Sequence, residues 1–190
     1  MRVIAGELKG RRLAPVKGRI RPTAAKVREA IFSILGEAVR EMRVLDLYAG
    51  TGALGIEALS RGVREAVFVE DHPGALKVLR RNLEDLGLTN RAAVLALPVL
   101  TAVKRLGARG EGFGLAFLDP PYGGGVAAEA LAALDRAKVL DPGAWVVAEH
   151  SRRESLPERQ GGLALQELRR YGDTQVAFYR HHPPEEQEQN

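Results

Sequence analysis

The sequence predicts an α/β protein with a doubly wound, mostly parallel sheet. Two observations carry that prediction. Short apolar runs alternate with stretches of helical period from residue 43 to residue 150. Those runs, such as "AVFVE" and "LAFLD", are apolar at successive positions, as strands buried on both faces are. Parallel neighbours need a crossover connection, and the intervening helices supply it.

The elements follow in order. "RVIAGELKGRRLAP" reads as short strands around glycine turns, a small N-terminal β extension. "RPTAAKVREAIFSIL" is a helix, with Thr23 as its N-cap and Val27, Ala30, Ile31, Ile34 and Leu35 as its apolar face. "RVLDLYA" is the first strand of the sheet, and "ALGIEALSRG" a helix stopped by Gly62. "EAVFVE" is the second strand. "PGALKVLRRNLEDLG" is a helix with Pro73 in its first turn and Gly87 beyond its last. "RAAVLAL" and "VLTAVKRLG" repeat the strand–helix unit, as do "FGLAFLD" and "GVAAEALAALDRA". "AWVVAEH" is a fifth strand after a "DPG" turn, and "LALQELRRYG" with "TQVAFYRH" forms a C-terminal antiparallel hairpin. The polar tail "PPEEQEQN" reads as disordered.

Composition removes several function classes. With no cysteine among 190 residues, disulfides, cysteine-ligated zinc and thiol catalysis are excluded. His72, His150, His181 and His182 have no metal-ligand spacing, so no metal is expected. Trp145 and Phe178 fall in strand patterns and read as core. No apolar run reaches the length of a membrane span, and the N-terminus lacks a signal-peptide core. A cytoplasmic protein without membrane contact is the expectation. The net charge of +4 is uneven. Residues 1–28 hold nine Lys or Arg against one acid, a segment of +8, which leaves −4 for the rest. A concentrated basic arm on an acidic body suits a polyanionic partner.

Gly50, Gly52 and Gly55 follow the first strand in a G-x-G-x-x-G pattern. Such a loop lets a ligand approach the backbone at a helix N-terminus. Glu70 closes the second strand 20 residues after Gly50, where folds of this kind place an acceptor for ribose hydroxyls. Asp46 then discriminates between nucleotides. A dinucleotide would set its pyrophosphate beside this carboxylate and be repelled. S-adenosylmethionine (SAM) has no phosphate and carries a sulfonium and an ammonium, which a carboxylate favours. A nicotinamide-dependent oxidoreductase is the rival that Asp46 argues against.

"VLDLYAGTGALGIEAL", with Glu70 and then "FLDPPY" on the fourth strand, resembles the class I SAM-dependent methyltransferases, and within them those that methylate exocyclic amino groups of bases or glutamine amides. The resemblance implies a Rossmann-like fold with a seven-stranded sheet. It implies a SAM site drawn from Asp46, Tyr48, Ala49, Gly50, Thr51, Gly52, Gly55, Glu70 and Asp71. It makes Asp119, Pro120, Pro121 and Tyr122 the catalytic set. The chemistry suits them. An aromatic amine is a weak nucleophile with two hydrogens. The Asp119 carboxylate and the Pro120 carbonyl can accept one each, the prolines fix the backbone beforehand, and Tyr122 offers a face for a planar base.

"VIAGELKGRRL" followed by "RPTAAKVREAIFSIL" narrows the likeness to the bacterial RsmD family, over about Val3 to Tyr179. That resemblance implies methylation of guanine N2 in 16S ribosomal RNA, within a partly assembled 30S subunit, by a monomer. Lys9, Arg11, Arg12, Arg19 and Arg21 become the RNA-binding candidates. Residues 1–22 are then the basic RNA-binding extension, 23–182 the methyltransferase domain and 183–190 the tail. One departure is visible. Many class I enzymes have a polar residue after the third strand to bind adenine; here stand Leu97 and Pro98. The alternatives are amino-methylation of another base, such as adenine N6 in DNA or RNA, and a non-catalytic RNA-binding assembly factor. The intact D-P-P-Y argues against the second.

Overall fold

The structure is a computed structural model, and it describes residues 1–16, 25–121 and 123–182. Thr23, Lys17, Arg19, Arg21, Tyr122 and the 183–190 tail lie outside the described residues.

The sheet is assembled from β1 (Arg43–Leu47), β2 (Glu65–Val69), β3 (Ala92–Leu95), β4 (Phe113–Leu118), β5 (Leu140–Ser151), β6 (Arg159–Gln160), β7 (Leu163–Tyr171) and β8 (Thr174–His181). Its order is β3-β2-β1-β4-β5-β8-β7-β6. The seven strands read from sequence are all there, and β6 adds a two-residue edge. β3, β2, β1, β4 and β5 run parallel, and β8 is antiparallel to both β5 and β7. The order reverses between β1 and β4, which opens a crevice beyond their carboxyl ends. The "DPG" segment departs from expectation. It belongs to β5 as an irregularity, because the register with β4 slips between Phe113 and Leu115 and Gly143 takes a φ of 72°.

Helices cover both faces. On one, α1 (Ala25–Leu35), α2 (Ala53–Ser60) and α3 (Pro73–Asp85) bury Val44, Phe68, Phe117 and Val147 of the sheet. On the other, α4 (Val99–Ala108) and α5 (Val126–Ala137) bury Leu45, Val69, Leu118 and Val146. Successive residues of one strand thus point into different cores, which is why the strands read as continuously apolar. The buried stripe of α1 is Val27, Arg28, Ile31, Phe32 and Leu35. Ala30 and Ile34, expected on it, are only half-buried. The stripe is rotated because Arg28, counted among the arm's charges by sequence, is buried at 1% exposure.

Arg28 is buried to hold the N-terminal extension. Its guanidinium donates to the Arg2 carbonyl at 2.9 Å and meets the Met1 sulfur. Among its described residues the extension has less strand than expected, a single antiparallel bridge between Arg2 and Arg12. It is fastened instead by side chains of α2. The Glu57 carboxylate accepts from the Ile4 and Ala5 amides at 2.8 and 3.0 Å, and the Ser60 hydroxyl accepts from Leu8. Gly6 is required at this contact. It has a φ of 82°, and a Cβ there would stand 1.7 Å from the Ser60 carbonyl oxygen. Val3 and Leu13 enter the core beneath α1 and α2.

Candidate active site

Alternation along the strands decides what faces the crevice. Val44, Phe68 and Phe117 point toward α1–α3, so two residues further on Asp46, Glu70 and Asp119 point the same way. Three carboxylates from three neighbouring strands therefore share one end of one sheet face.

Asp46 is 2% exposed, and one of its carboxylate oxygens (Oδ2) accepts from the Gly55 amide at 2.9 Å. Burial pushes its carboxyl up to about 8, and the neighbouring charges of Asp119 and Glu70 push in the same direction while the Gly55 amide opposes them. Gly55 must be glycine here. A Cβ would stand 2.3 Å from the Phe68 ring and 2.9 Å from Asp46. Close approach of α2 to β1 and β2 is what lets the amide reach Asp46. Gly50 and Gly52 have φ of 55° and 80°, and Tyr48 shares the left-handed region at 60°. A tyrosine held there is strained, a feature that concentrates at ligand sites. Its half-buried phenol is pushed up to about 12 by desolvation and then by the charges of Glu129 and Asp71.

Glu70 does more than sequence indicates. One oxygen accepts from the Gly50 amide at 2.8 Å, and the other from Asp71 and His72 at 3.0 and 2.9 Å. It clamps the glycine loop to the end of β2. Three of about four lone-pair sites are filled, and one stays available for a hydroxyl. Asp71 is exposed. His72 is the N-cap of α3, where its Nδ1 accepts from the Ala75 amide.

Sequence reasoning missed Asn82. It is 2% exposed on α3, and its amide donates to the Thr51 carbonyl at 2.9 Å and exchanges hydrogen bonds with Ala14 at 2.8 and 3.3 Å. The N-terminal extension thus ends its described course against the glycine loop. Ala49 and Thr51 are both buried in that loop, and the Ala49 carbonyl accepts from the Gly52 amide at 2.7 Å. A polar residue in the apolar i, i+3, i+4 stripe of α3 was the available signal.

At β4 the Asp119 amide donates to the Leu47 carbonyl at 3.4 Å, which ties the catalytic candidate to β1. Asp119 is half-buried, Pro120 buried and Pro121 exposed. Three glycines with φ of 99°, 75° and 73°, Gly123 to Gly125, lead into α5. Of the RNA candidates, Lys9, Arg11 and Arg12 are exposed on the extension, well apart in chain and element from the carboxylates, and Arg11 donates to the Asp85 carbonyl. No side-chain acceptor follows β3; Leu97 packs into the core against α4 and Pro98 caps that helix without a side-chain bond. Among the described residues no group of ligands could hold a metal, and no helix is long and apolar enough to cross a membrane.

The sheet order, the glycine loop closed by Glu70, and D-P-P at the end of β4 define a class I SAM-dependent methyltransferase. The donor set fits the cofactor. A buried carboxyl pushed to about 8 beside two more acids calls for positive charge, which SAM supplies and a pyrophosphate opposes. The chain belongs to the family described as conserved hypothetical protein 95, the RsmD family, whose model matches residues 1–180. It is similar to a putative rRNA methyltransferase, YlbH, of Bacillus subtilis, at 41% identity over 95% of this chain and 98% of that one. It is 30% identical to ribosomal RNA small subunit methyltransferase D of Escherichia coli K12, over 94% of this chain and 89% of that one. Among solved structures, the putative methyltransferase yhhF of Escherichia coli superposes with a TM-score of 0.83, at 29% identity over 96% of this chain and 98% of that one.

Proposed function

We propose that the protein moves the methyl group of SAM to the exocyclic N2 of a guanine in 16S ribosomal RNA, within a partly assembled small subunit in the cytoplasm. The observation that carries this reading is the place of Asp119, two residues beyond the β4 partner of the buried Asp46 and near enough for its charge to act on that carboxyl, because it sets an amine acceptor beside a site built for a cation. The names of the relatives support the RNA substrate. When bound, SAM supplies an electrophilic methyl on a positively charged sulfur.

The chain's own residues do the rest. Asp46, Tyr48, Ala49, Gly50, Thr51, Gly52, Gly55, Glu70 and Asp71 form the cofactor side, with Glu70 offering its remaining lone pair to a ribose hydroxyl. Asp119 and the Pro120 carbonyl accept the two hydrogens of the amine and turn its lone pair toward the methyl. Much of the barrier reduction is positioning. With SAM bound, the amine held by Asp119 and the Pro120 carbonyl would take the methyl as its bond to sulfur breaks, and the amine's extra proton would leave to solvent. Asp119 stabilises the positive charge that develops on nitrogen. Pro121 stiffens the loop, and Tyr122 gives the base a stacking surface. Residues 1–22 are the RNA-binding extension on the methyltransferase domain of residues 23–182, with Lys9, Arg11, Arg12, Arg19 and Arg21 on phosphates, and the enzyme acts as a monomer.

Incubation with methyl-labelled SAM and unmodified small subunits, free 16S RNA and DNA, followed by digestion to nucleosides, tests this. Label in N2-methylguanine from subunits is expected. Label in N6-methyladenine, or none with any substrate, overturns the reading.

A further inference from the structure

A fourth carboxylate stands at the same end of the sheet, and the reaction above leaves it without a task. Leu118 of β4 pairs with Ala148 of β5, so Asp119 and Glu149 are the next residues along two adjacent parallel strands. Phe117 and Val147, two positions back, both enter the core under α1, while Leu118 and Ala148 enter the other. Alternation therefore puts Asp119 and Glu149 on one face, about 4.8 Å apart in the direction of the strand spacing. Glu149 is 8% exposed. Burying an ionised carboxylate costs heavily unless it receives donors, and placing it beside Asp119 adds repulsion. Glu149 is not an orphan within the protein, but a carboxylate has about four lone-pair sites and keeps acceptors for a ligand.

Resting on the proposed guanine substrate, we infer that Glu149 is a specificity-determining residue that accepts the N1–H of the target guanine while Asp119 holds its 2-amine. The Watson–Crick edge of guanine carries N1–H and the 2-amino group side by side, two donor groups in a row. Two neighbouring carboxylates on one sheet face match that edge. Adenine presents a lone pair at N1 beside its amine, and Glu149 repels that lone pair. Asp119 selects an amine; Glu149 selects which purine bears it. A site whose buried acceptor is left unpaired rejects the wrong ligand far more strongly than an apolar pocket does.

The test compares guanine with 2,6-diaminopurine at the methylated position of 16S RNA reconstituted into small subunits. Diaminopurine keeps the 2-amine and replaces N1–H by a lone pair. Wild type should prefer guanine by about 100-fold or more in kcat/KM. Glu149→Gln, whose amide can donate to that lone pair, should lower kcat/KM on guanine by about 100-fold and shrink the preference at least about tenfold. SAM affinity and Tm should stay near wild type. If Glu149→Gln fails to fold, Glu149→Asp, which keeps the charge and withdraws the acceptor by one methylene, should show the same shrinkage. An unchanged preference in the variant, whatever its overall rate, makes Glu149 structural and overturns the inference. So does a wild type that accepts both purines equally, while N2-methylguanine formation keeps the proposed function standing. Absence of N2-methylguanine from wild type overturns both.

Discussion

Asp46 carries a charge that the folded protein resists. Its carboxyl, ordinarily at 3.8, is pushed up to about 8 chiefly by burial. The folded state holds the proton more tightly than the unfolded chain does. This group's contribution to stability is therefore full below about pH 4 and is lost progressively as pH rises to about 8. A cationic ligand reverses the preference, because it favours the ionised form. SAM binding at pH 7 should expel a proton, and affinity should rise between about pH 6 and pH 8. Calorimetry in two buffers of different ionisation enthalpy reads the proton directly. Asp46→Asn, which can still accept from Gly55, should abolish the release; a wild type with none would mean that Asp46 stays protonated beside the cofactor. Asp119 should divide differently. Asp119→Ala should lower the rate of methyl transfer by ~10²–10³-fold and leave SAM affinity within a few-fold. Equal loss of both would move Asp119 to the cofactor side. The positions of both aspartates were legible in sequence because Asp119 closes an apolar run before the proline loop and Asp46 interrupts one just before the glycine loop. Glu149 was not, since an acid ending "VVAE" acquires meaning only from the register that sets it beside Asp119.

At the level of elements, α2 joins the two halves of the molecule's business. Its first turn approaches β1 closely enough for Gly55 to bond Asp46, and its last turns hold the N-terminal extension through Glu57 and Ser60. Glu57 is 1% exposed, accepts from two extension amides, pairs with Arg61 at 2.8 Å and faces the buried Arg28 charge. Desolvation lowers the Arg28 guanidinium from its ordinary value and Glu57 offsets part of that. Glu57→Ala removes a charge that offsets the burial of Arg28, the partner of Arg61 and the acceptor of two extension amides, and should cost about 3–5 kcal/mol of unfolding free energy. Glu57→Gln, retaining acceptors for Ile4 and Ala5, should cost less. Denaturant titration of both separates the lost charge from the lost bonds, and a neutral Glu57→Ala would mean that water enters and solvates Arg28. The helices of the sheet were readable from their period and glycine stops. The extension was not, because its order comes from long-range side-chain bonds rather than from a β ladder. "VIAGELKGRRL" suggested strands by composition, and only the Arg2–Arg12 bridge formed.

The whole molecule is a basic extension on an acidic body, and that asymmetry is the part of its function that charge alone made legible. The fold sharpens it. Arg28 is buried, so fewer cations face outward than the count of nine implies. Lys9, Arg11 and Arg12 remain exposed, on a segment that Asn82 ties to the glycine loop. Phosphates bound there would register the RNA against the crevice without reading its sequence. Each neutralised phosphate releases counterions, so each lost contact should reduce the log–log dependence of affinity on salt by about 0.7–0.9. Replacing Lys9, Arg11 and Arg12 with alanine should therefore flatten the slope by roughly two to three units and weaken subunit binding most at low salt. SAM affinity should not change, because none of the three touches the carboxylates. Arg11 adds one internal control. Its bond to the Asp85 carbonyl is exposed, so its loss should move the melting temperature little. Dissociation constants of the triple variant at several salt concentrations decide the matter. An unchanged slope would place the RNA on another face of the protein and leave these three as solvated charges.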